Sequence, residues 1–157
     1  MISSFELKNG QTGCRMLVIE DIPDQWWLIR KTISAYLPGI EPVWTSSLPT
    51  TKAYLEECAD RSRFPHLILL DLYLPDREAG LAILQRIRQG SASRPIPILV
   101  LSHSDRMEDI TESYALGANA YIVKPLDPLE WMPHFQTLAA YWLQSASLPG
   151  VDPDPGR

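Results

Sequence analysis

Four short apolar runs in this chain each end at a residue that can handle phosphate or the metal that accompanies it. Met16-Leu17-Val18-Ile19 leads into Glu20-Asp21, and Leu67-Ile68-Leu69-Leu70 leads into Asp71. Ile98-Leu99-Val100-Leu101 leads into Ser102, and Tyr121-Ile122-Val123 leads into Lys124-Pro125. Carboxylates brought together repel one another and take up protons unless a cation answers them. Mg²⁺ is the natural answer, since it takes oxygen ligands from one or two carboxylates and fills its shell with water and phosphate. Lys124 adds a second positive charge as a point donor to a phosphate oxygen, and Ser102 offers a small hydroxyl that can turn to the same group. Such a set is suited to receiving a phosphoryl group, a transfer that asks mostly for positioning and charge neutralisation. Asp71 stands alone at its strand end and is the expected nucleophile, with Glu20 and Asp21 holding the metal.

The elements that must bring these residues together are legible as an alternation. Buried parallel strands read as short continuous apolar runs, and ligands in open α/β sheets bind beyond the carboxyl ends of the strands. After the first strand, Asp24 can cap a helix that runs to about Tyr36 and stops at Pro38-Gly39. A short second strand is expected over Pro42 to Thr45, and a second helix from Ser47-Pro49 to about Ala59. The third strand spans His66 to Leu72, then a Pro75-to-Gly80 loop, then a helix over Leu81 to Gln89. Gly90 to Pro95 reads as a linker, Ile96 to Leu101 as strand four, and Asp105 to Leu116 as a helix stopped by Gly117. Strand five is Ala120 to Lys124. A last helix is expected to open at Asp127, with Pro128 at its first position and Glu130 closing a capping box, and to run to about Gln144. Pro133 conflicts with that helix, because an interior proline costs about 3 kcal/mol, so a kink or an irregular first turn is expected there. The order βαβαβαβαβα implies an α/β fold: a doubly wound, five-stranded parallel sheet with helices on both faces. If the strand order is 2-1-3-4-5, strands one and three lie side by side at the switch point, and Glu20 and Asp21 meet Asp71.

Composition bounds the class. A chain of 157 residues can build one domain with a proper core, here over 14–144, behind a loose leader at 1–13 and ahead of a Pro-rich tail at 145–157 that reads as disordered. A net charge of −5 with no basic run argues against nucleic acid as a partner. Cys14 and Cys58 sit outside any Cys-x-x-Cys spacing and read as free thiols in a reducing compartment. The N-terminus lacks the apolar core of a signal peptide, and no run approaches the roughly 20 residues of a membrane helix, so a soluble, cytoplasmic protein with no membrane partner is expected.

Glu20-Asp21, Asp71-Leu72-Tyr73-Leu74-Pro75, Ser102 and Tyr121-Ile122-Val123-Lys124-Pro125 together resemble the receiver domain of two-component response regulators, over about residues 14–144. Each motif alone is weak; all five signature positions in order are not. The resemblance implies a (βα)5 flavodoxin-like fold, an aspartyl phosphate drawn from the phosphohistidine of a sensor histidine kinase or histidine phosphotransfer protein, and Mg²⁺ dependence. By the same resemblance Asp71 is the phospho-acceptor, Asp21 and Asp71 bind the metal directly, Glu20 binds it through water, and the backbone carbonyl of Tyr73 completes the protein ligands. Ser102 and Tyr121 match the switch pair, Lys124 the phosphate-binding lysine, and Pro125 is expected to follow a cis peptide bond. In the implied switch, Ser102 moves to a phosphoryl oxygen and leaves space that Tyr121 fills by turning inward, which repacks the face of helix four, strand five and helix five.

Two positions depart from the family pattern. His103 stands where a small residue is usual; it is either a solvent-facing loop histidine or a group that crowds the path to the phosphoryl site. The Pro75-to-Gly80 loop is one residue longer than usual, which leaves the start of the third helix open. Trp26, Ile29, Ile33 and Leu37 form a buried row on the first helix, and at least one of Trp26 and Trp27 is expected near the surface, where it could dock a kinase. The last helix is apolar almost all round, from Leu129 through Trp131, Met132, Phe135 and Leu138 to Trp142 and Leu143. That surplus predicts a homodimer through helices four and five. The resulting expectation is a stand-alone receiver, not an enzyme, of the chemotaxis or phytochrome-associated single-domain type. A phosphorylation-independent docking module and the receiver part of a longer regulator are the alternatives. A hydrolase with an Asp nucleophile is disfavoured, because no second Asp sits two residues after Asp71.

Overall fold

The computed structural model describes residues 13–61, 63–90, 96–146 and 148. Five strands and five helices alternate: β1 (Cys14–Ile19), α1 (Pro23–Tyr36), β2 (Ile40–Thr45), α2 (Leu48–Arg61), β3 (Leu67–Asp71), α3 (Arg77–Gly90), β4 (Ile98–Ser102), α4 (Met107–Ala115), β5 (Ala120–Val123) and α5 (Trp131–Ala139). The strands form one parallel sheet in the order β2-β1-β3-β4-β5, as expected. Pro42 is accommodated because β2 is an edge strand, where a missing N–H need not break a ladder on both sides.

Alternate residues of each central strand face opposite layers. Met16, Val18, Leu67, Leu69, Leu99 and Leu101 pack with Ile29, Ile33 and Leu37 of α1 and with Trp131, Phe135 and Leu138 of α5. Leu17, Ile19, Ile68, Leu70, Ile98 and Val100 pack on the other face with Leu81, Ile83, Leu84 and Ile87 of α3. Both faces being covered explains why β3 and β4 are buried at every position.

Several element ends differ from the sequence expectation. Helix α1 begins at Pro23 without a side-chain cap, and Asp24 lies inside its first turn. Helix α3 begins at Arg77, so Gly80 is helical rather than a loop residue; Asp76 Oδ1 accepts from Ala79 N–H at 2.8 Å. A Cβ on Gly80 would lie 1.6 Å from the Leu72 carbonyl oxygen, so glycine is needed there for close approach of the helix to the strand exit. The irregularity expected near Pro133 takes the form of a 3-10 turn over Pro128–Glu130, followed by α5 from Trp131. Pro133 thus falls in the first turn of α5, where backbone N–H groups have no intrahelical partner to lose. Asp127 caps the 3-10 turn, its Oδ1 accepting from Leu129 N–H at 2.9 Å. Beyond α5 a π-helical stretch runs over Ala140–Ser145 and Leu148 packs on the α1 and α5 core, so order extends past the expected start of the tail at 145. The rest of that tail, at 147 and 149–157, the leader at 1–12, and the linker at 91–95 lie outside the described residues.

One expectation is corrected. Among the described residues the cis peptide bond is Leu74–Pro75, and Lys124–Pro125 is not cis. An X-Pro bond has only a small intrinsic preference between isomers, so the surrounding packing decides it and the dipeptide alone does not.

Candidate phosphoryl-acceptor site

The sheet register builds the site. Ile19 pairs with Leu70, so Glu20 and Asp71 leave the sheet side by side. Asp71 pairs with Leu101 and Ser102 with Val123, which sets Ser102 and then Lys124 along the same edge. Oxygen atoms of Glu20, Asp21 and Asp71 all lie within 4.8 Å of one another. Lys124 Nζ reaches into this cluster, 3.0 Å from Glu20 Oε2 and 3.3 Å from Asp71 Oδ2, and donates also to Gln25 Oε1 at 3.2 Å. Glu20, Asp71, Ser102 and Lys124 are buried, while Asp21 is half-buried.

Electrostatically the cluster is short of positive charge. Burial pushes the Glu20 carboxyl up, with Lys124 pulling the other way and Asp71 adding to the rise. Burial also raises Asp71 against the pull of Lys124, and burial together with Glu20 raises Asp21. Asp21 Oδ1 is buried and has no hydrogen-bond partner. An orphaned carboxylate oxygen beside two more carboxylates is the donor set of a hard divalent cation, and these residues fit Mg²⁺. Backbone donors orient what the cation does not: Ile22 N–H donates to Glu20 Oε1 at 3.1 Å and Tyr73 N–H to Asp71 Oδ1 at 3.3 Å.

The structure brings the sequence-predicted set together, with three further groups that the sequence left unmarked. Gln25 shares Lys124. Trp44 donates its indole N–H to the Glu20 carbonyl at 2.7 Å and stacks on Trp26 with ring centroids 5.5 Å apart. Ser104 holds both members of the expected switch pair: its N–H donates to Ser102 Oγ at 3.1 Å and its carbonyl accepts from the Tyr121 hydroxyl at 2.8 Å. Tyr121 is half-buried and packs against the α3-side core. His103 is exposed at the exit of β4, and partial burial together with the charge of Lys124 lowers its pKa. Trp27 is 59% exposed with Lys31 Nζ 4.9 Å from its ring centre, as the crowding on α1 predicts. Cys14 and Cys58 are buried and are not joined in a disulfide, and burial lifts the Cys14 thiol to about 11.

Known proteins resemble this chain in sequence and fold. The model of the response regulator receiver domain matches residues 16–135. Response regulator Rcp1 of Synechocystis sp. is 28% identical over 138 residues, covering 87% of this chain and 93% of the relative. The transcriptional regulatory protein AruR of Pseudomonas aeruginosa is 32% identical over 118 residues, and the chain spans 45% of its length. The crystal structure of the phosphorylated cyanobacterial phytochrome response regulator RcpA superposes with a TM-score of 0.77 at 32% identity, covering 88% of this chain and 99% of that one. A manganese-bound form of Rcp1 superposes at 0.76 with 27% identity, covering 87% and 99% of the two chains. Among the described residues no helix is long and apolar enough to cross a membrane.

Proposed function

We propose, on the premise that this chain belongs to the response regulator receiver domain family, that Asp71 accepts a phosphoryl group from a sensor histidine kinase or a histidine phosphotransfer protein. The observation that carries this reading is the buried lysine between two in-register carboxylates, with Lys124 Nζ 3.0 Å from Glu20 and 3.3 Å from Asp71. An Asp71 oxygen forms the new O–P bond as the N–P bond of the donor's phosphoimidazole breaks. The bonding pair stays on the imidazole nitrogen, which takes a proton. Lys124 is placed to exchange a carboxylate oxygen for a phosphoryl oxygen, and the Ser102 hydroxyl donates to another. Mg²⁺ held by Asp21, Asp71 and the Tyr73 carbonyl, with Glu20 through water, supplies positive charge at the phosphoryl oxygens when bound. His103 adds bulk at the entrance and slows small phosphodonors.

Output passes through the face of α4, β5 and α5 to protein partners, and the same face joins two copies of the chain. Leu126 ahead of the 3-10 turn and Leu129 within it support this, being 91% and 82% exposed, as does the exposed Tyr141 in the π-helical stretch beyond α5. The likeness to RcpA favours a kinase of the phytochrome type as donor.

Intact mass after incubation with Mg²⁺ and a phosphodonor tests the acceptor. One phosphoryl group is expected, lost in Asp71→Ala and lost when EDTA removes the metal; a gain that persists in Asp71→Ala rejects the assignment. His103→Ala is expected to be labelled faster by acetyl phosphate, and an unchanged rate removes its role. Light scattering that finds only monomer at tens of micromolar chain, with or without beryllofluoride, rejects the dimer.

A further inference from the structure

Helix α4 is seated unlike its neighbours. A helix covering a sheet ordinarily buries an apolar stripe, yet the buried residues of α4 are Asp109 and Ser113, while Met107 and Tyr114 face solvent. Polar contacts therefore hold this helix, and most of them converge on Asp109, which is 0% exposed. The Tyr73 hydroxyl donates to its Oδ2 at 2.8 Å, Ser104 Oγ to the same oxygen at 2.6 Å, and Arg77 Nε to Oδ1 at 2.5 Å. Arg77 also pairs with Glu112 one turn further along α4. Burial alone would raise the Asp109 carboxyl, but the donors from Ser104, Arg77 and Tyr73 outweigh it and hold the pKa down at about 2.

Each donor belongs to a different part of the site. Tyr73 lies two residues beyond the acceptor Asp71, and Arg77 opens α3. Ser104 is the residue whose backbone fixes both Ser102 and Tyr121. Because Ser102 Oγ accepts from Ser104 N–H, its own hydrogen stays free for another acceptor. Because Tyr121 donates to the Ser104 carbonyl, its ring is held half-buried against the core, the inward position that the switch assigns to the phosphorylated state. The Ser104 side chain also accepts from Arg106 N–H at 3.3 Å, which ties the hub to the start of α4.

The geometry points to Asp109 as a positioning residue for the phosphoryl switch, which through Ser104 presets Ser102 and Tyr121 in the arrangement that receives the group and through Tyr73 couples them to the acceptor loop. This inference rests on the receiver reading given above. No apolar residue of α4 is fully buried, so the carboxylate is the helix's main buried anchor, and it links the acceptor to the output face.

The test uses the full chain labelled with 3-fluorotyrosine, the Tyr121 resonance being assigned by Tyr121→Phe. Without ligand, Ser104→Ala and Asp109→Asn are expected to move that resonance toward the value of solvent-exposed tyrosine. In Mg²⁺ both variants are expected to bind beryllofluoride about ten-fold more weakly than wild type, within the usual range of coupling between sites. Ser104→Thr, which keeps the hydroxyl, is expected to restore both readouts. Asp109→Asn strips Arg77 of its buried partner and loses stability, so the gentler Ser104→Ala decides. A folded Ser104→Ala with the wild-type Tyr121 resonance and wild-type beryllofluoride affinity overturns the inference while the receiver reading stands. A wild type that fails to bind beryllofluoride in Mg²⁺ overturns both.

Discussion

Glu20, Asp21 and Asp71 at the strand ends and Asp109 on α4 are carboxylates of one protein, yet they handle charge in opposite ways. Lys124 pairs with Glu20 and Asp71 and acts on Asp21 only through its field, and burial raises all three carboxyls. Asp109 is no less buried, yet its pKa is held at about 2. What differs is the supply of donors: three side chains point hydrogens at Asp109, whereas Asp21 Oδ1 has none. A buried carboxylate with its donors in place is a structural anchor, and one left short of them is a site for a cation or an incoming group. Burial is common to both, so the number of converging donors is what tells them apart.

The contrast can be broken most forcefully at the satisfied cluster. Asp109→Asn removes a buried charge while leaving its donors behind, and we expect a loss of about 3 kcal/mol in urea unfolding. A loss below 1 kcal/mol would mean that the network is ornamental. At the unsatisfied cluster, Mg²⁺ at a hundredfold excess over its Kd should stabilise the wild type by about 2.7 kcal/mol, the amount mass action gives for a ligand that binds only the folded state. In Asp21→Asn the gain should shrink, although the substitution itself should raise metal-free stability by about 0.5–1 kcal/mol by relieving repulsion. An Asp21→Asn protein that is less stable without metal and gains as much from Mg²⁺ as wild type would sink the reading of the orphaned oxygen.

The smallest effect is in pH dependence. Folded-state pKa values raised above the ordinary ones mean that the folded protein holds protons more tightly than the unfolded chain. The penalty from the strand-end carboxylates is therefore full above their raised pKa values and fades as the pH falls through them. Asp109 runs the other way: its contribution is complete above the ordinary aspartate value of about 4 and is lost as the pH falls toward about 2. His66 and His103, both lowered chiefly by burial, also titrate on mild acidification. The difference between wild type and Asp21→Asn cancels them. In EDTA that difference should narrow as the pH falls from neutrality toward the ordinary aspartate value of about 4; a constant difference would show that the Asp21 pKa is not raised.

Much of the candidate site was legible from the chain because it depends on local order. A polar residue directly after an apolar strand stays at the sheet's edge whatever the helices do, so Glu20, Asp71, Ser102 and Lys124 converge once the strand order is right. Asp109 gave no such signal. An acid in the first turn of a helix reads as a solvent-facing partner of the helix dipole, and what buries it are Arg77 and Tyr73, 32 and 36 residues away. Gly80 misled for a related reason: glycine reads as a breaker, but here it sits inside α3 because the Leu72 carbonyl passes too close for a Cβ. Pro133 announced an irregularity without saying that a 3-10 turn would absorb it.

The sequence by itself determined the alternation of strands and helices and the order of polar residues at the strand ends, because both follow from apolar runs and their punctuation. Tertiary structure alone decided which carboxylates are satisfied, that Ser104 holds both Ser102 and Tyr121, and that α4 rests on a buried aspartate. Those outcomes depend on donors arriving from distant turns of the chain, and hydrogen-bond partners at that range leave no periodicity to read.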